Sequence, residues 1–139
     1  MLLYTGLVEP GDYKLIKSYK THDQAVTDCS KEGRGHQYRL ARISTQTQLQ
    51  EAQKVIKKKQ NGFWTALSFQ GGRGKWLWDG SESASNLNRE LTLSHQQEAA
   101  IKNPVCFYVN YQNSTLITDD CQERKQFLCE KVKKRGKKE

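Results

Sequence analysis

Apolar residues along this chain fall into short runs separated by polar stretches, and their spacing predicts a mixture of strands and helices. Residues 13–20, Tyr-Lys-Leu-Ile-Lys-Ser-Tyr-Lys, mix apolar and polar positions in the manner of an edge strand. Thr21-His22-Asp23-Gln24 then has the form of a capping box, a threonine at the cap and a glutamine three residues on. Ala25, Val26 and Cys29 follow at helical spacing, which predicts a helix ending near Gly33 with Cys29 facing inward. Residues 33–39 read as a polar loop and Leu40-Ala41-Arg42-Ile43 as a short strand. Residues 44–48 offer a second helix start. Leu49, Ala52, Val55 and Ile56 form one apolar stripe, Lys54, Lys57 and Lys58 face away from it, and Asn61-Gly62 closes the helix.

The densest apolar stretch comes next. Residues 63–80 hold Trp64, Trp76 and Trp78, in two runs that flank Gly71-Gly72-Arg73-Gly74. This pattern predicts two strands joined by a tight loop, with Trp76 and Trp78 on one face, and places the core here. Residues 81–105 are polar with Leu87, Leu91 and Leu93 as anchors, and a loop of that length in a small domain points to function or poor order. Residues 106–111 read as a strand, Gln112-Asn113-Ser114 as a turn, residues 115–118 as the returning strand and residues 126–129 as the last one. There are no internal repeats.

Composition narrows the picture. At 139 residues with 35% hydrophobic, the chain is one domain with a small core. It has no run of eighteen apolar residues, so no membrane-spanning helix is expected. Met1-Leu2-Leu3 is too short for a secretory leader, which suggests numbering that begins inside a longer product or at an expression start. The net charge is +8, but residues 131–139 hold six Lys or Arg against one Glu and so carry +5 of it. A nearly balanced body with a basic tail reads as a solvated end or a polyanion-binding tail, and not as a nucleic-acid-binding domain.

Four cysteines allow three pairings, and an even number points to disulfides in an oxidising compartment. Spacing favours Cys106 with Cys121, which bracket a hairpin, and Cys29 with Cys129, which would tie the first helix to the last strand. Zinc would need close ligand pairs, and the nearest cysteines, Cys121 and Cys129, are too far apart in sequence. His22, His36 and His95 lie in polar or helix-start settings with no nucleophile arrangement beside them, and Gly71-Gly72-Arg73-Gly74 lacks the lysine and hydroxyl of a phosphate loop. The chain therefore reads as non-enzymatic, with no cofactor implied.

The order of these segments resembles a C-type lectin-like domain of the short, two-disulfide form. The resemblance rests on Cys29, Leu40-Ala41-Arg42-Ile43, Trp64-Thr65-Ala66-Leu67, Trp76-Leu77-Trp78-Asp79-Gly80, the segment from Cys106 to Cys121, and Phe127-Leu128-Cys129-Glu130. It covers residues 13–131, leaving an extension at 1–12 and a basic tail at 132–139. It implies an α+β fold in which two helices flank two small antiparallel sheets, with a long ligand-bearing loop. Sugar-binding members carry Glu-Pro-Asn or Gln-Pro-Asp in that loop and Trp-Asn-Asp before the third of these cysteines, and these oxygens ligate Ca²⁺. Here the loop proline is Pro104, beside Cys106 with no acid before it, and the second motif reads Leu116-Ile117-Thr118. Calcium needs six to eight oxygens, so a sugar-competent calcium site is not expected. His22 also stands where an aromatic Trp is common.

The reading is a non-catalytic extracellular recognition domain, secreted or part of a receptor ectodomain, that binds a protein ligand independently of calcium. Candidate contacts are Arg89, His95, Lys102, Tyr108 and Tyr111. One alternative is binding of sulfated glycosaminoglycan or another polyanion through Lys54, Lys57, Lys58, Arg73 and Lys75. Another is calcium-dependent carbohydrate binding through Asp119, Asp120, Glu82, Glu90 and Glu98. Asn113-Ser114-Thr115 is an N-glycosylation sequon at the expected hairpin tip.

Overall fold

In the computed structural model, which describes residues 12–33, 35, 37–56 and 62–132, the elements run β1 (Tyr13–Lys20), α1 (His22–Ser30), β2 (Gln37–Leu40), α2 (Gln46–Ile56), β3 (Phe63–Gln70), β4 (Lys75–Trp78), β5 (Glu82–Ser83), α3 (His95–Ala100), β6 (Val105–Val109), β7 (Ile117–Asp119) and β8 (Lys125–Val132). A single 3-10 turn, Arg89–Leu91, lies between β5 and α3. His36, Lys57, Lys58, most of the N-terminal extension and nearly all of the basic tail lie outside the described residues.

β3 is buried from Phe63 to Phe69 without alternation, which marks a strand covered on both faces. It joins what the sequence suggested as two sheets. Its first residues pair in parallel with β8, Phe63 to Gln126 and Trp64 to Phe127. Its second half pairs antiparallel with β4, and its other edge carries β6 with an irregularity between Trp64 and Ser68. β8 then takes β1 on one side and β2 on the other, and β6 takes β7. The outcome is one branched, mostly antiparallel sheet with helices packed against it, an α+β fold.

Both long helices form where their caps and stripes predict. The Thr21 side chain accepts from the Gln24 amide, and Gln24 Oε1 accepts from the Thr21 amide, completing the box at the start of α1. α1 buries Ala25 and Cys29 and stops at Ser30, three residues before Gly33. α2 buries Leu49, Ala52 and Ile56 and leaves Lys54 exposed.

The segment between the helices departs from expectation. β2 occupies Gln37–Leu40, part of the stretch read as a loop, and Ala41 to Ile43 are not strand. The Ala41 amide donates to Leu128 O at 2.9 Å and its carbonyl accepts from the Ala66 amide at 2.8 Å. The chain thus crosses from β8 to β3, and Ala41 and Ile43 bury their side chains in that crossing. Residues 81–105 also hold more structure than their polarity suggested. β5 pairs with β4, Asn88 caps the 3-10 turn, and Ser94 with Gln97 forms a second capping box that starts α3.

Two disulfides fasten this frame. Cys29 in α1 is bonded to Cys129 in β8, with Cα atoms 5.5 Å apart, and Cys106 in β6 to Cys121, with Cα atoms 5.0 Å apart.

His22, the first residue of α1, is 2% exposed, its Nε2 2.7 Å from Thr65 O and its ring edge-on to Trp64. Burial pushes this imidazole below its ordinary value, against the opposing pull of the Thr65 carbonyl. Unfolded His22 takes its proton near about pH 6.5, whereas the folded side chain does so only at lower pH. The unfolded chain then binds more protons in that window, so stability falls as pH drops below about 6.5. Denaturant midpoints measured down to about pH 5.5 should show this decline, and His22→Gln should flatten it.

Candidate recognition surface

The loop between β3 and β4 is a tight turn in which Gln70 O accepts from the Arg73 and Gly74 amides. Gly72 and Gly74 have φ of +89° and +66°, where side-chain-bearing residues are strained. Gly71 serves a different need. A Cβ there would lie 2.7 Å from Ile101 O and 2.8 Å from Asn103 O, so the returning limb of the long loop rests directly on this turn. Neither carbonyl can swing aside as a flexible side chain would. Gly71→Ala should therefore destabilise the fold by about 1–3 kcal/mol. Amide exchange should show the added opening concentrated in residues 81–105.

Trp76 on β4 anchors the outgoing limb. Its ring packs 4.7 Å from Phe69 and 5.6 Å from Phe107, and the Arg89 guanidinium lies 4.5 Å over it. Arg89 Nη2 also donates to Glu98 Oε1 on α3, so one side chain joins β4, the 3-10 turn and α3. Between β4 and this limb is a cleft of about 550 Å³. Trp76, Leu77, Ala84 and Leu87 supply its apolar wall, Ser81, Ser83 and Ser85 its hydroxyls, and Lys75 and Arg89 its cationic rim.

A second polar cluster locks β2, β4 and β8 together. Arg42 donates to Asp79 Oδ2 at 3.0 Å and to both Glu82 oxygens at 2.8 and 3.0 Å. Glu130, 1% exposed, accepts from Arg39 Nε at 2.7 Å and from the Arg42 amide at 3.2 Å. Burial pushes the Glu130 carboxyl up, with Arg39 pulling it back. The Arg42 guanidinium holds Glu82 below the usual carboxylate range. Asp79, in the Trp-x-Trp-x-Asp-Gly motif, keeps φ at +57° to reach Arg42. The sequence marks Glu82 only as a candidate calcium ligand, and Asp79 and Glu130 only as members of family-like motifs. Their partner, Arg42, lies in such a motif too, Leu40-Ala41-Arg42-Ile43, but nothing in the sequence links it to these carboxylates.

The candidate contacts divide between two ends of the sheet. Arg73 and Lys75 flank the β3–β4 turn, Lys102 O lies 3.6 Å from where a Gly72 Cβ would be, and Arg89 rims the adjoining cleft. Tyr108 and Tyr111 lie toward the other end, where Val109 pairs with Phe63. Lys54 belongs to that end too. Its neighbour Gln53 donates to Asn110 O and Asn113 O, and Lys54 itself is paired with Glu51 at 2.9 Å. Six residues of β3 separate the two groups, about 20 Å at ~3.3 Å per residue. Neither proposed contact set is therefore one continuous patch. Tyr108 is further engaged inward, with Lys125 Nζ 4.2 Å from its ring centroid and its ring filling the space above Gly62. His95 opens α3, and its side chain lies outside the described portion. Asn113 is exposed in the turn between β6 and β7.

The carboxylates considered for calcium do not converge. Asp119 pairs with Lys125 at 2.9 Å and accepts from the Asp120 amide, and Asp120 accepts from the Gln122 amide. Glu82 faces Arg42 and Glu98 faces Arg89. Among the described residues no three His, Cys, Asp or Glu side chains come together as a metal site would require.

The family model for the Lectin C-type domain matches residues 18–131. The chain belongs to the C-type lectin domain family. Among curated proteins, this lectin domain is 29% identical over 125 residues to rat C-type lectin domain family 9 member A, covering 86% of the chain and 46% of that relative. It thus spans about half that relative's length. Among solved structures, human lithostathine superposes with a TM-score of 0.64 at 15% identity, covering 84% of this chain and 88% of that one. Ovocleidin-17 of the Gallus gallus eggshell calcified layer gives 0.62 at 17%, covering 89% and 94%. EMS16, described as an antagonist of collagen receptor integrin α2β1, gives 0.57 at 21%, covering 87% and 90%. Domains of this family are generally non-catalytic. The disulfides of this lectin domain fit an oxidising compartment. Among the described residues no helix is long and apolar enough to cross a membrane.

Proposed function

We propose that this lectin domain is a non-catalytic extracellular recognition module that binds a protein ligand without calcium, through the long loop and the β3–β4 turn beneath it. One observation carries the reading. Of the five acidic side chains considered for a calcium site, Glu82, Glu98, Asp119 and Asp120 are each engaged with a separate cation or backbone amide, and Glu90 stands exposed on the 3-10 turn. The cleft beside Trp76 remains as a preformed concavity with apolar and polar walls, the usual character of a binding site. The fold is compatible with a protein partner: botrocetin, a structural neighbour at 20% identity and TM-score 0.56, is also solved in complex with a von Willebrand factor A1 domain.

A tetramer of the domain applied to cell panels tests this. Staining should persist in excess chelator and after heparinase, and disappear after protease treatment of the cells. Staining abolished by chelator would restore the calcium-dependent reading. Staining abolished by heparinase alone would favour the polyanion reading.

An extracellular route also makes Asn113 a modification site. Its exposed turn is held by the Gln53 bonds, which leaves the tip facing solvent. Expression through a secretory host should give a glycan mass that N-glycosidase removes and that Asn113→Gln prevents. An unmodified secreted chain would reject the assignment.

A further inference from the structure

We infer that the cleft beside Trp76 seats an acidic peptide segment of the protein ligand, one apolar side chain of which enters between Trp76 and Leu87 while its carboxylates meet the surrounding cations. This rests on the proposed recognition of a protein without calcium, and it names the chemistry recognised and where. The first support is the cleft's division of labour. Its apolar wall is continuous with the aromatic core, because Trp76 packs on Phe69 and Phe107, so an inserted side chain would meet a rigid floor.

The second support is charge. Arg73, Lys75 and Lys102 gather where the long loop returns onto the β3–β4 turn, all three exposed, and among the described residues none of them forms an ion pair. Arg89 differs from them. It is held between Trp76 and Glu98, which orients its remaining N–H donors before any ligand arrives. A preoriented guanidinium loses less freedom on meeting a carboxylate than a free one does. Arg89 and Glu98 offset each other, so the cations left to complement an anionic partner are Lys75 on the rim with Arg73 and Lys102 beside it.

The third support bears on which anion. A sulfated glycan chain calls for cations along an extended track. Lys54 lies at the far end of β3, about 20 Å from the turn at ~3.3 Å per residue, so it does not extend the group formed by Arg73, Lys75 and Lys102 into a continuous track. That geometry matches a short acidic stretch with a single apolar anchor.

Fluorescence anisotropy with a labelled, end-blocked peptide Glu-Glu-Phe-Glu-Glu tests this, with the all-glutamate pentapeptide and a heparin-derived tetrasaccharide as comparators. The indole N–H signal of Trp76 in ¹⁵N-labelled protein reports location. The phenylalanine peptide should shift that signal and bind about tenfold more tightly than the all-glutamate one. Lys75→Glu and Lys102→Glu should each weaken it by about tenfold, with Lys54→Glu unchanged. Near-UV circular dichroism confirms that the variants are folded. Absence of peptide binding, equal binding by the charge-reversed variants, or preference of the Trp76 signal for the tetrasaccharide would overturn the inference. Chelator-resistant, protease-sensitive cell staining would survive each of those outcomes, so failure of this site is distinguishable from failure of protein recognition.

Discussion

Replacing both Cys29 and Cys129 with alanine is expected to lower the free energy of unfolding by about 4.7 kcal/mol on the chain-entropy model. The bond closes a separation of 100 residues and fixes α1 to β8, the strand that pairs with β1, β2 and β3. A small domain has a total of about 5–15 kcal/mol, so this loss takes up most or all of it. Removing Cys106 and Cys121, separated by 15 residues, should cost less, about 3 kcal/mol, because the shorter loop restricts the unfolded chain less. Guanidinium melts of the two double variants check both the sizes and their order. Equal losses would mean that native packing around the sulfurs, and not loop closure, sets the difference.

Trp64→Ala should be the most damaging single core substitution outside the disulfides, costing about 3–5 kcal/mol. Its indole is fully buried at the branch point of the sheet, where Trp64 pairs with both Phe127 and Tyr108. Nε1 donates to Lys20 O at 3.1 Å, and the ring meets His22 and Tyr108 edge-on. Truncation would leave a cavity between α1 and the sheet and orphan the Lys20 carbonyl. Trp76→Ala should cost less, because that ring is half-buried and the cleft beside it can relax. Thermal or denaturant unfolding of the two variants gives the comparison, and a larger loss for Trp76 would displace β3 as the organising strand.

Much of this frame was legible because its signals are local or covalent. The capping box at Thr21 and Gln24, the stripe from Leu49 to Ile56, the glycine turn and the cysteine spacing each depend on residues close in sequence or on a bond with few partners. β2 was not legible, since Gln37 to Arg39 carry no alternation of their own and form a strand only because β8 offers an edge. The bridging role of β3 was hidden for a related reason: an unbroken buried run shows that both faces are covered but not which strands border it. α3 is a different case. Ser94 and Gln97 repeat the Thr21 and Gln24 pattern, so a local signal was present within a stretch dominated by polar residues.

The candidate surface was legible residue by residue but not as an arrangement. Arg73 and Lys75 were grouped with Lys54, and Arg89 and Lys102 with Tyr108, because sequence proximity to a loop or to a run of like charge was the available guide. The backbone contact of Gly71 with Ile101 and Asn103 regroups them, and no periodicity announces a contact between two loops. Arg42 likewise takes its importance from three carboxylates brought near it by β4, β5 and β8.

Calcium independence is the claim on which the rest of the functional account stands, and a calorimetric titration of CaCl₂ into the chelator-stripped domain tests it most directly. The account predicts no saturable heat and an unfolding midpoint that calcium leaves in place, because four of the five candidate carboxylates are engaged with separate partners. A saturable heat accompanied by a raised midpoint, and lost in Asp119→Asn or Asp120→Asn, would contradict it.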